Sequence, residues 1–322
     1  MLDPIACLYF SSVGSEIMAA SKGHVDQIIA LAASRGLELR PESAVADDNG
    51  WDFRVVHATD STGKAWILRA PRRPEIARAA AAEGRLLAIL HGRFDVEVPH
   101  WRFADDELIA YPRLPGEPVA WEDAETHELH WKFDRRHPPA HYIDAVGEFM
   151  ATLHGTPLAE VESTAIPVRA PAAARAELAE HVAFAVTDLG MHSTWRDRGA
   201  RWLDRDDLWP DSPVLIHGDL HPGHQLVDSD GALLGVLDWT DAEIGYAAKE
   251  FVEAARKFEP PVLDALIESY ERHGGVAGPA LRAHAVESIA FAPLNLGILG
   301  LESRNTRYID AARRYFQTAT DR

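Results

Sequence analysis

Apolar residues recur along this chain in two rhythms. In residues 25–35 they fall at Val25, Ile28, Ile29 and Ala32, the spacing of one helix face, and Gly36 ends the run. Residues 53–59 and 64–69 read as two strands of a hairpin around the turn Asp60-Ser61-Thr62-Gly63. Residues 74–90 return to helical spacing, with Pro74 near the start and Gly92 beyond the end. Residues 107–111 are a strand that Pro112 breaks. Residues 115–139 mix Pro, Trp, His and both charges without a core face, and read as a linker and mobile loop. A helix follows from His141, its face marked by Tyr142, Ala145, Val146, Phe149, Met150 and Leu153. Residues 171–189, 251–274, 281–301 and 308–319 are predicted as further helices. Residues 214–216, 225–227 and 233–237 are predicted as short strands, the last two joined by the turn Asp228-Ser229-Asp230-Gly231.

This order describes an α+β protein. An extension (1–23) precedes a small β-rich N-lobe (24–114), and a mainly helical C-lobe (115–322) carries a second hairpin. At 322 residues the chain is long enough for a core in each lobe. Its net charge of −18 argues against a nucleic-acid partner, because a phosphate backbone calls for clustered Lys and Arg. That charge either steers a cationic substrate or only keeps the protein soluble. No apolar run approaches the roughly 20 residues of a membrane span, so no membrane partner is expected. The start lacks a basic segment ahead of its short apolar stretch, and there is a single cysteine, Cys7. A cytoplasmic monomer is the expectation.

The chemistry concentrates in Leu215-Ile216-His217-Gly218-Asp219-Leu220-His221-Pro222-Gly223-His224, followed by Val236-Leu237-Asp238-Trp239. A buried strand ends at His217, and Gly218, Pro222 and Gly223 turn the chain sharply. The next hairpin delivers Asp238 at the end of an apolar strand. Asp219, His224 and Asp238 are therefore expected on one sheet edge. The layout is that of phosphoryl transfer: Asp219 accepts the proton of an acceptor hydroxyl, while Asp238 and His224 hold a metal on the donor phosphates. His217 is expected to hold the turn. With two lobes and a site between them, the plan is a bilobal protein-kinase-like fold.

With these motifs in place, the chain resembles the aminoglycoside phosphotransferase family, and within it the macrolide 2′-phosphotransferases. The likeness spans roughly residues 24–320. It includes His224, where most relatives have Asn, and the segments Trp51-Asp52-Phe53-Arg54, Trp66-Ile67-Leu68-Arg69-Ala70-Pro71-Arg72-Arg73 and Ile109-Ala110-Tyr111-Pro112. The resemblance implies GTP as the usual donor, with ATP as the other possibility, Mg²⁺, and a macrolide antibiotic as the acceptor that is inactivated. Arg69 stands where the kinase pattern has a phosphate-gripping Lys, and it still offers a permanently charged fork. Glu83 is its expected partner. Asn49 and Gly50 lie where a loop covers the phosphates, or form a plain hairpin turn. Tyr111 and His224 complete the expected nucleotide contacts. Gly245-Tyr246-Ala247 departs from the usual Gly-Asp-Pro, so no acid role is assigned to residue 246.

The acceptor site is expected on the 281–301 segment, with Glu287, Phe291, Asn295 and Leu299 as candidate contacts, and Glu287, Ala290 or Phe291, and Leu294 share one helical face. Glu287 either meets the amine of a macrolide sugar or pairs with an arginine. Trp121 and Trp131 either cover an apolar acceptor or anchor their loop. Two other readings remain open. One is a kinase of an aminoglycoside or another hydroxylated small molecule, and the other is a catalytically dead kinase-like binding module.

Overall fold

The structure is a computed structural model, and it describes residues 18–47, 52–123, 128–209 and 212–320. Helix α1 (Met18–Ser34) leads into strands β1 (Val45–Asp47), β2 (Phe53–Thr59) and β3 (Ala65–Pro71). Helix α2 (Pro74–Leu90) follows, then β4 (Phe103–Ala104) and β5 (Ile109–Pro112). The five strands form one antiparallel sheet in the order β1-β2-β3-β5-β4. Strand alternation sorts its side chains to two faces. Val56, Ala58, Trp66, Leu68 and Ala110 pack with Ile28, Ile29 and Ala32 of α1. Phe53, Ile67, Ile109 and Tyr111 pack on the other face with Ala80 of α2. Because both faces are covered, Trp66 through Arg69 are all buried. That is why an apolar strand can carry one arginine inward.

The segment predicted as a mobile loop is structured where it is described. Strand β6 (Glu117–Pro118) is followed by β7 (Ala120–Glu122) and β8 (Leu129–Trp131). β7 and β8 pair as a hairpin, and Val119 and Ala120 are buried. The signal was hidden because each strand is only two or three residues long, too short to show a period.

The C-lobe comprises α3 (Ala140–His154), α4 (Leu158–Val161), α5 (Pro171–Asp188), α6 (Ser193–Leu203), β9 (Val214–Ile216), β10 (Gln225–Val227), β11 (Leu233–Val236), β12 (Glu243–Gly245), α7 (Ala247–Ala255), α8 (Pro260–Arg272), α9 (Gly278–Phe291), α10 (Pro293–Glu302) and α11 (Thr306–Gln317). The expected helices over 251–274 and 281–301 are each two helices. Pro260 and Pro293 open the second helix of each pair, where a missing N–H and a fixed φ suit the first turn, and the first helices end at Ala255 and Phe291. The bend between α9 and α10 is 42°. Among the described residues no single helix is long and apolar enough to cross a membrane.

Strand β10 pairs with β11 and also with β6, while β9 pairs with β12. Pro118 is tolerated because β6 is an edge strand. These short sheets rest on a core that includes Tyr142, Phe149, Met150, Trp239 and Phe251, and they carry the His-Gly-Asp turn. A separate cluster of Trp195, Trp202, Trp209, Phe291 and Phe316 holds α5, α6, α9 and α11 together.

Candidate active site

Strand β9 ends at Ile216, and the next residues turn. Gly218 sits at φ +85°, and a Cβ there would lie 2.1 Å from the Asp241 carbonyl oxygen. Only glycine lets the two chain segments pass. His217 locks the turn as expected. Its Nε2–H donates to the Leu237 carbonyl at 2.8 Å, and its Nδ1 accepts the Asp219 amide at 3.3 Å. Burial pushes its pKa down to about 4, so the ring stays neutral and can both donate and accept. The His217 amide donates in turn to buried Glu250 Oε2 at 2.5 Å.

The turn and the following hairpin bring the three predicted side chains together. His224 lies between the two aspartates. Its Nδ1–H donates to the Asp219 carbonyl at 2.9 Å, and Nδ1 is 3.5 Å from Asp219 Oδ2. Its Nε2 lies 3.6 Å from Asp238 Oδ2. Burial opposes a charge on its ring, but Asp238 and then Asp219 outweigh it and raise the pKa, and Nε2 is the nitrogen that faces Asp238. Asp238 adopts a left-handed φ of +58°, a conformation that aspartate tolerates better than most side chains. Burial opposes its charge, but His224 and Arg69 override that and hold the carboxyl at about 2. Asp241 is pushed up to about 6, by burial first and then by the neighbouring charges of Asp219 and Asp238. Three acids crowded together make a site that fits a cation.

Arg69 reaches down from β3 and spans the lobes. Its Nη1 donates to Glu83 Oε1 at 2.7 Å, and its Nη2 donates to Thr240 Oγ1 at 3.0 Å. The nearer oxygen of Asp238 is 4.0 Å away. The guanidinium sits 4.0 Å above the Phe53 ring centroid. Burial works against this charge, but the Glu83 carboxylate outweighs it and keeps the arginine protonated. The predicted Arg69–Glu83 pair is thus present. Thr240 was missed by sequence reasoning. Its hydroxyl also donates to Asp238 Oδ1 at 2.9 Å, so it links the arginine to the aspartate. The signal available was its place two residues after Asp238.

A second grouping needs to be separated from the first. Donor atoms of Asp219, His221 and His224 lie within 4.8 Å of one another. However, His224 Nδ1 gives its hydrogen to a carbonyl, and His221 Nδ1 accepts the Gly223 amide at 2.9 Å. A neutral His221 therefore carries its hydrogen on Nε2. Neither imidazole turns a lone pair toward Asp219, whereas His224 Nε2 and Asp238 Oδ2 are both available as ligands.

Other expectations need correcting. Asn49 and Gly50 lie outside the described residues. The ring of Tyr111 is buried with Phe53, Ile67 and Ile109. Its hydroxyl sits close to Arg69 and Glu83, and burial pushes its pKa up to about 12. Glu287 meets an arginine. Arg198 of α6 donates Nε to Oε2 at 2.7 Å and Nη2 to Oε1 at 3.3 Å. Leu299 packs near Leu296, Tyr308 and Ala311. Phe291 and Asn295 of that predicted set line a cavity together with Trp209, Tyr246, Glu253 and Arg256. Trp131 anchors its hairpin with an edge contact to Phe258 at 5.3 Å. Trp121 remains 41% exposed and stacks on His130.

The family model described as "Phosphotransferase enzyme family" matches residues 43–285. The crystal structure of the apoenzyme of macrolide 2′-phosphotransferase MphH from Brachybacterium faecium is 34% identical and superposes with a TM-score of 0.82, over 93% of this chain and 100% of that one. A structure of macrolide 2′-phosphotransferase type I is 30% identical, with a TM-score of 0.81 over 96% of this chain and 100% of that one. The uncharacterized protein YcbJ of Bacillus subtilis (strain 168) is 36% identical over 288 residues, 89% of this chain and 94% of its own.

Proposed function

Because this chain belongs to the phosphotransferase enzyme family, we propose that it moves the γ-phosphate of GTP to the 2′-hydroxyl of a macrolide antibiotic and so inactivates the drug. The observation that carries the chemistry is the convergence of Asp219, His224 and Asp238 with Arg69 beside them. The likeness to macrolide 2′-phosphotransferases over nearly the whole chain supports the acceptor class.

Asp219 is the base. It orients the acceptor hydroxyl and takes its proton, a contribution of roughly 10²–10⁴-fold. Asp238 and the Nε2 lone pair of His224 would hold the divalent ion, which supplies charge neutralisation on the donor phosphates. Arg69, kept charged by Glu83, faces those phosphates. Its two hydrogen bonds fix the fork before nucleotide arrives, so little is left to reorganise. The intact carboxylates and the completed Arg69–Glu83 pair favour an active enzyme over a binding module.

The acids of the cavity at Phe291 and Asn295, read as the acceptor pocket, favour a macrolide over a polycationic aminoglycoside. Glu253 is paired with Arg256 at 2.7 Å and Glu177 with Arg169 at 3.2 Å, so the acids are neutralised within a lining that also carries Trp202, Trp209, Tyr246 and Phe291. We also propose cytoplasmic action by a monomer, where nucleoside triphosphates are at hand. The test is purified protein with GTP or ATP, Mg²⁺ or Mn²⁺, and a panel of macrolides and aminoglycosides, read by mass spectrometry for an added phosphoryl group. Phosphorylated macrolide is the expected product. Transfer only to aminoglycosides, or to no acceptor, overturns this reading.

A further inference from the structure

Sequence reasoning assigned nothing to His221, yet it stands beside the proposed base. Its Nε2 is 3.7 Å from Asp219 Oδ2, and its ring centroid is 3.9 Å from that of His224. Its Nδ1 accepts the Gly223 amide at 2.9 Å. The side chain is 7% exposed, which disfavours a charged ring. A neutral imidazole whose Nδ1 is an acceptor must carry its hydrogen on Nε2. That hydrogen faces the carboxylate. Gly223 makes the placement possible, since a Cβ there would come within 2.5 Å of the His221 ring.

Resting on the assignment of Asp219 as base, we propose that His221 is a positioning residue. It holds Oδ2 of Asp219 through Nε2–H and leaves Oδ1 to face the acceptor hydroxyl. The 3.7 Å separation is longer than a hydrogen bond. Catalytic contacts of this kind are often long in the free enzyme and tighten with substrate bound. The role is orientation of a carboxylate that already carries charge, so His221 should act on turnover and not on donor binding.

Glutamine and asparagine separate the two nitrogens of the ring. Glutamine places a donor near Nε2, and asparagine places an acceptor near Nδ1. With the acceptor that wild type phosphorylates, His221→Gln is expected to keep kcat within a few-fold. His221→Asn and His221→Ala should lose on the order of 100-fold in kcat, the scale of a misplaced catalytic group. The Kd for Mg-GTP by calorimetry should be unchanged in all three. Gly223→Ala keeps the imidazole but displaces it, and should lower kcat alike. An asparagine variant as active as the glutamine one, or a fully active Gly223→Ala, overturns the proposal, because the ring would then serve only the loop.

Nitrogen-15 histidine spectra give a readout free of activity. His221 is expected as the Nε2–H tautomer, with a signal that moves in Asp219→Asn. An Nδ1–H tautomer overturns the proposal whatever the acceptor is. A wild type that transfers phosphate to nothing sinks the proposed function and leaves this spectrum to decide on His221.

Discussion

At the scale of single residues, the site is a set of side chains whose hydrogen positions are dictated by backbone partners. His217 and His224 each give one nitrogen to a carbonyl, and that choice leaves the other nitrogen with a defined task. Asp219→Asn keeps the shape of the turn but removes the base. Turnover is expected to fall by roughly 100-fold or more with nucleotide affinity retained. Near-normal turnover in a folded variant would remove Asp219 from that role. Asp238→Ala strips away the carboxylate that His224 and Arg69 hold ionised. Turnover should vanish, and calorimetry should show weaker metal-dependent GTP binding. Equal Mg-GTP affinity in the variant would place the metal elsewhere. The motif residues were legible because their spacing is short and covalent: a turn and a hairpin can place them in only a few ways. Glu287 was left between an amine and an arginine because its partner, Arg198, lies on another helix, and no spacing along the chain reveals that pairing. His221 and Thr240 went unread because their meaning is a contact.

At the scale of elements, periodic segments were read well and breaks less well. Helix α2 has the predicted bounds, Pro74–Leu90. The expected hairpin of β2 and β3 forms, paired from Phe53 with Pro71 to Thr59 with Ala65. The apolar rhythm continues across Pro260 and Pro293, and that continuity concealed where backbone geometry ends a helix. The catalytic turn shows the same rule in its tightest form. Gly218 combines a positive φ with a carbonyl 2.1 Å from where a Cβ would stand. Gly218→Ala should therefore cost about 1–3 kcal/mol from backbone strain alone. Relief of the clash must then shift Asp241 or Asp219. The expected outcome is lower stability in denaturant together with lost turnover. A variant with wild-type stability and activity would mean that the turn can open at no cost. The same loss of stability without loss of turnover would mean that strain relaxes away from the carboxylates.

At the scale of the whole molecule, the lobes are tied by the charge that serves the site. Arg69 belongs to the N-terminal sheet and Thr240 to the loop after Asp238, so the contact between them and the proposed phosphate grip rest on one buried guanidinium. Removing Glu83 alone would leave that charge uncompensated, an arrangement that costs about 3–5 kcal/mol in buried pairs. Stability of the helical lobe rests on different groups, and its pH dependence can be isolated. His284 is 2% exposed and packs against Trp202 and Trp209. Its Nδ1–H donates to the Leu208 carbonyl, and its Nε2 has no hydrogen-bond partner. Burial pushes its pKa down to about 4 from an ordinary value of 6.5. Above pH 6.5 the ring is neutral in both the folded and the unfolded chain, and it leaves stability independent of pH. Below that, the unfolded chain takes up a proton that the folded one declines. Stability therefore falls until about pH 4, where the native ring titrates as well. The loss across this window is about 3 kcal/mol for one group. His217 is depressed in the same range, so the comparison must be between variants. His284→Asn keeps a donor near Leu208 and does not titrate. Between pH 7 and 4 its unfolding free energy is expected to fall about 3 kcal/mol less than that of wild type. Parallel curves for the two proteins would mean that His284 is protonated in the native state and that its Nε2 has found an acceptor.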